Sequence, residues 1–130
     1  MHPLSTLSLA FVLMLTAACA SGPRPGHEPP PPNAVTLDDA GIRAALVGKT
    51  LQTFSQRGEA VTQTFNADGT SAFTMGSERL VEHWRVADGQ ICIDSPRYPR
   101  ECDVVKQAPE GLWFLDGKTG ALQNHYQVVP

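Results

Sequence analysis

The residues best placed to do chemistry are Cys92 and Cys102, with Ser95-Pro96-Arg97-Tyr98-Pro99-Arg100 between them. Two thiols flanking a short loop can close a disulfide or help to hold a metal. A zinc site needs close cysteine or histidine pairs, and His83 and His125 stand at no such spacing. A disulfide is therefore expected, with no metal and no cofactor. Chain entropy would make it worth roughly 2–3 kcal/mol. The loop it ties is a candidate contact surface: Arg97 and Arg100 suit a carboxylate or phosphate, and Tyr98 can stack. The same residues also suit a solvated loop that keeps the protein soluble.

Catalysis finds little support. Ser77 and Ser95 lack a G-x-S-x-G or comparable setting, and no H-E-x-x-H or glycine-rich phosphate loop occurs. Glu82 and His83 are neighbours and would face opposite sides of a strand. A non-catalytic protein is expected. The 130 residues carry a formal charge of −3. That mild balance gives no footprint for nucleic acid.

The elements that must position these residues are short strands. Eleven glycines and eleven prolines mark many turns. The runs 49–54, 59–66, 70–75, 79–86, 90–94, 101–107, 112–116 and 121–129 read as strands. Asp68-Gly69 and Asp88-Gly89 signal hairpins between them. No helix lies between strands to carry a parallel crossover. The fold class expected is mainly β: an antiparallel meander of about eight strands, as a curled sheet or small barrel, with one short N-terminal helix.

That helix would start at Thr36 as its cap, with Asp38 and Asp39 at the positive end of its dipole, and stop at Gly48. Along residues 80–86, Leu80, Trp84 and Val86 share a face on which Glu82 is the exception. Leu112-Trp113-Phe114-Leu115 is apolar on both faces, and the helix is the natural cover for one of them. Trp84 and Phe114 would fill the interior, leaving little room for an apolar ligand.

Upstream of this domain, residues 4–18 are apolar or hydroxylic and end in small residues at a cysteine. That describes an export signal rather than a bilayer span. Leu15-Thr16-Ala17-Ala18-Cys19 resembles the bacterial lipobox, which implies cleavage before Cys19 and its lipidation. The rival cut follows Ala18-Cys19-Ala20 and would release a soluble periplasmic protein starting at Ser21. Under either cut Cys19 leaves the thiol pool, so Cys92 and Cys102 remain as a pair. Residues 19–33 read as the anchored cysteine and a proline-rich linker, extended and solvated, with His27 within it. Residues 34–130 then form a single β-rich domain.

Within that domain, Leu46-Val47-Gly48-Lys49-Thr50, Asp68-Gly69-Thr70, Trp84-Arg85-Val86 and Asp88-Gly89-Gln90-Ile91-Cys92 resemble a group of small exported bacterial proteins. The resemblance implies a lipocalin-like meander and an envelope address, and supplies no catalytic residues. The expectation is a cell-envelope lipoprotein facing the periplasm, on the outer membrane, whose partners are the membrane through its lipid and an envelope protein or small ligand. The alternative is a soluble periplasmic domain, either like a protease inhibitor or a ligand carrier.

Overall fold

A computed structural model describes residues 22–130. The segment expected to be an export signal, Cys19 and both expected cleavage points lie outside the described residues. Eight strands follow one another in an antiparallel meander: β2 (Thr50–Phe54), β3 (Ala60–Phe65), β4 (Thr70–Met75), β5 (Glu78–Ala87), β6 (Gln90–Asp94), β7 (Glu101–Ala108), β8 (Gly111–Asp116) and β9 (Leu122–Val129). Pairing of β9 with β2, Leu51 opposite Val128, closes the sheet into a barrel. Closure leaves no long free edge of the kind that invites pairing with another chain. A ninth strand, β1 (Val35–Thr36), adds to β7 beside Lys106 and Gln107. The hairpin signals hold: Asp88 (φ 55°), Gly89 (φ 74°) and Gly69 (φ 87°) take the left-handed backbone of tight turns.

One helix, α1 (Asp39–Leu46), precedes the barrel. Its cap is Asp38 rather than Thr36. The Asp38 carboxylate accepts the Gly41 N–H at 2.8 Å, whereas Thr36 is held extended by its pairing with Lys106. Strand pairing thus displaced the start of the helix by one short step. At its end the Val47 N–H still reaches the Arg43 carbonyl at 3.0 Å, and Gly48 turns away at φ 74°.

The helix closes one end of the barrel. Ile42 and Leu46 are fully buried among Leu51, Phe65, Ile91, Val105 and Leu112. Burial of a side chain of that size is worth roughly 1.5–3 kcal/mol each. Polar ties fix the plug to the strand ends around it. Arg43 donates to the Val86 carbonyl at 2.9 Å, and the Gly89 N–H donates to Asp39 at 2.6 Å. The Leu37 N–H reaches Val105 O at 2.9 Å, and the Gly48 N–H reaches Phe65 O at 2.8 Å.

Two further expectations are refined. Phe114 lies in the core, but Trp84 sits half-buried at its edge. Its ring meets Phe65 edge-on at 5.6 Å, and its N–H is shared by the carbonyls of Asn66 and Thr70. The outer face of β8 is not covered by α1. Trp113 instead stacks flat on His125 of β9, with ring centroids 4.4 Å apart, beneath the segment before β1. Cys92 and Cys102 are directly opposed on β6 and β7 and form the disulfide. Among the described residues no helix is long and apolar enough to cross a membrane.

Candidate functional site

The other end of the barrel is open, and there the inward-facing residues change character. Strand alternation sends every second side chain inward. Along β7 the inward series toward the open end is Val105, Asp103, Glu101. Along β5 it is Val86, Trp84, Glu82, and along β2 it is Leu51, Thr53. The result is a cup of about 390 Å³ whose walls include Val61, Phe73, Met75, Ile93 and Tyr126. That volume falls within the usual range for small-molecule sites, about 300–1,000 Å³.

Carboxylates mark the depth of this cup. Glu82 and Glu101 line it, and Asp103 stands one inward step below Glu101 on the same strand. Glu82 is buried and accepts a hydrogen bond from the Gln63 amide at 2.7 Å. Asp103 is 1% exposed, and neither carboxyl oxygen has a hydrogen-bond partner. The Ser71 hydroxyl, opposite Glu82 on β4, is likewise buried and unpartnered. Unmet polar groups at such depth are expensive, roughly 1–3 kcal/mol each and more if charged.

Electrostatics follow from this placement. Burial pushes the Asp103 carboxyl up to about 7, and the neighbouring Glu101 and Asp116 carboxylates push the same way. Glu82 is raised by burial, with Glu101 adding to the shift and a hydrogen bond to Ser95 opposing it. Glu101 is open to solvent at the mouth, yet the cup walls desolvate it enough to raise it, helped by Asp116. The Tyr126 phenol is raised by burial and then by Glu101, Asp103 and Glu82, so all three acids surround one ring. Asp116 goes the other way, held low by the N–H groups of Thr119 and Lys118.

The segment before β1 completes the rim. Arg24 donates to the Gln56 carbonyl at 2.8 Å, in the β2–β3 turn beside the mouth. At Gly26 the chain enters the seam where β2 and β9 part beyond Gln52 and Gln127. Its carbonyl accepts the His125 N–H at 2.7 Å. With φ at 81°, a Cβ here would strike Thr53 Oγ1 and come within 2.8 Å of the Phe54 nitrogen. Only glycine fits that wedge. His27 then lines the cup, and the Glu28 carbonyl accepts the Trp113 indole N–H at 3.0 Å.

Glu28 also reaches His125 Nδ1 at 2.9 Å, while His125 Nε2 lies 3.1 Å from the Glu110 carbonyl. Partial burial works against the Glu28 charge, but the hydrogen bond to His125, the nearby backbone N–H groups and the attraction of His125 together hold the carboxyl below its usual range. Residues from Arg24 onward, expected to be solvated, are thus a strap on the barrel wall.

The loop between the cysteines forms the opposite lip. Tyr98 lines the cup, packs edge-on against Phe73 at 5.8 Å and hydrogen-bonds to Glu78. Arg97 pairs with the same Glu78, and Arg100 pairs with Asp94 at 3.1 Å. The two arginines therefore face partners within the chain, while Ser95, Tyr98 and Pro99 of the loop reach the cup. His83 is exposed on the outer face of β5, two residues from Arg85, which pairs with Cys92, and His125 lies under the strap. Among the described residues no three His, Cys, Asp or Glu side chains gather closely enough to hold a metal ion.

In the sequence Glu82 stands out as an exception on its strand, whereas Glu101 and Asp103 carry no functional expectation. The available signal was the phase of β7: Glu101 and Asp103 share the face of Val105, which belongs in a core. Comparisons with protein families, with curated proteins and with solved structures found no match for this chain.

Proposed function

We propose that this protein is a non-catalytic binding module of the cell envelope, lipid-anchored at Cys19, that holds a small amphiphilic molecule in the open end of its barrel. The observation that carries this reading is the cup itself: apolar walls, a few inward polar groups and an unobstructed mouth. Among the described residues no hydroxyl is hydrogen-bonded to a histidine ring that a carboxylate orients, which favours binding over turnover.

The strap bears on the anchor. Arg24 is already fixed at the rim, and it lies five positions after Cys19 in the chain. At about 3.3–3.6 Å per residue, the rim would then lie within roughly 17 Å of the lipidated cysteine. A lipid-anchored form would hold its mouth close to the membrane surface, where amphiphiles concentrate. A chain beginning at Ser21 would instead be a soluble carrier with the same cup, and intact mass distinguishes the two.

Binding is tested by NMR titration of the full chain with three probes of one chain length: octylammonium, octanol and octanoate. Saturable shifts centred on Val61, Phe73, Met75 and Ile93 are expected from at least one. If all three leave those residues unmoved, the cup is not a ligand site and the proposal fails.

A further inference from the structure

The cup has a sign as well as a shape. Glu82 and Glu101 line it and Asp103 lies directly below, and among its lining residues the one basic group is His27, at the rim. Arg97 and Arg100, the nearest guanidinium groups on the lip, pair with Glu78 and Asp94 instead. An acidic cluster alone would say little. Here a second, independent feature points to a missing partner. Asp103 is 99% buried, faces the same interior as Glu101, and has no donor for either oxygen. Ser71 Oγ, across from Glu82, is unpartnered too.

Resting on the binding reading above, we infer that the ligand is an organic cation: a primary ammonium carried on an apolar body. Each part of that description answers a feature of the cup. The ammonium presents three N–H donors and no acceptor, which suits a floor rich in acceptors. Charge-assisted bonds to carboxylates are about twice as strong as neutral ones, most of all where water is excluded. Phe73, Tyr98 and Tyr126 offer ring faces and edges along the way in, and an ammonium is attracted to such faces. Val61, Met75 and Ile93 take the apolar body. A metal ion fits less well, because no three ligating side chains converge among the described residues.

The test compares dissociation constants of octylammonium, octyltrimethylammonium, octanol and octanoate for the full chain, by calorimetry with NMR mapping. Octylammonium is expected to bind at least tenfold more tightly than octanol, and octanoate more weakly still. Octyltrimethylammonium keeps the charge but lacks N–H donors, and should fall between octylammonium and octanol. The Glu82→Gln/Glu101→Gln double variant should lose most of the preference for octylammonium over octanol while keeping the octanol affinity. Glu101→Gln alone, at the solvent-exposed mouth, serves as the control that folds and should lose part of the preference. Equal or tighter binding of octanol or octanoate would overturn the cation assignment and leave the binding reading standing. Shifts at the cup from none of the four would overturn both. Tighter binding of calcium than of octylammonium would make the floor a metal site and overturn the organic ligand.

Discussion

The two ends of this barrel are built from the same strands and have opposite interiors. At the helix end, Ile42, Leu46, Leu51, Phe65, Ile91, Val105 and Leu112 are all fully buried and all apolar. One inward step along the same strands, the positions are Thr53, Gln63 and Asp103, with Glu82 and Glu101 beyond Trp84 and Asp103. The first end resembles any protein core, where close packing and removal from water supply the stability. The second gives up much of that stabilisation, since it keeps carboxyls from water without giving them all partners. A stable fold needs the first end. The second has no structural use that apolar residues would not serve better, which is why it reads as the working end.

The comparison is broken most easily at the plug. Leu46→Ala should destabilise the domain by about 2–5 kcal/mol, the usual cost of emptying a closed apolar site. Chemical denaturation measures it, and a loss below about 1 kcal/mol would mean that α1 does not seal its end.

At the open end the sign reverses. In the folded protein Asp103 titrates at about 7, but unfolded it titrates near 3.9. Between those values the folded state holds the proton and the unfolded state does not, so stability falls as pH rises from about 4 to 7 and is level above. Asp103→Asn removes that fall. It should therefore stabilise the protein at pH 8, by up to ~4 kcal/mol since each tenfold in proton affinity is worth about 1.4 kcal/mol. Unchanged or lower stability of the variant at pH 8 would show that the carboxylate is already satisfied.

The staple and the lip give smaller effects. Replacing Cys92 and Cys102 together should cost roughly 2–3 kcal/mol in oxidising buffer, and equal melting temperatures would deny the bond a stabilising role. Arg97→Ala with Arg100→Ala removes two exposed ion pairs and should cost less than about 1 kcal/mol. A larger loss would make the lip part of the frame rather than a solvated edge of the cup.

Much of the frame was legible because its causes are local. The spans of β4 and β6 follow directly from turn chemistry, Asp68-Gly69 before one and Asp88-Gly89 before the other. The opposed cysteines followed from parity. The helix start was misplaced because a long-range event, the pairing of Thr36 with Lys106, outranked its capping ability. The strap was hidden for a related reason. A proline-rich composition shows that a segment cannot build a core of its own, yet says nothing about whether a wall elsewhere will hold it. The holding surface comes from Trp113, His125 and the seam between β2 and β9, all distant in sequence.

The cup was half legible. Alternation assigns Glu101 and Asp103 to the inner face once Val105 is taken as core. It cannot reveal that Glu82, from a strand two places away, meets them around Tyr126, because that depends on how the sheet curls and closes. Nor does alternation tell which end of a strand lies under the helix. Depth along the barrel axis is a property of closure, and closure is set by all eight strands together.

The most direct test of the two-ended interior is a pH titration of the side-chain carboxyl carbons by NMR, on the full chain without ligand, from about pH 3 to 9. An Asp103 midpoint near 7 is expected, with Glu82 and Glu101 above the ordinary glutamate range and Asp116 below the aspartate one. An Asp103 midpoint at or below about 4 would mean that its carboxylate is hydrated or paired. The acidic, unpartnered floor on which the working end rests would then not exist.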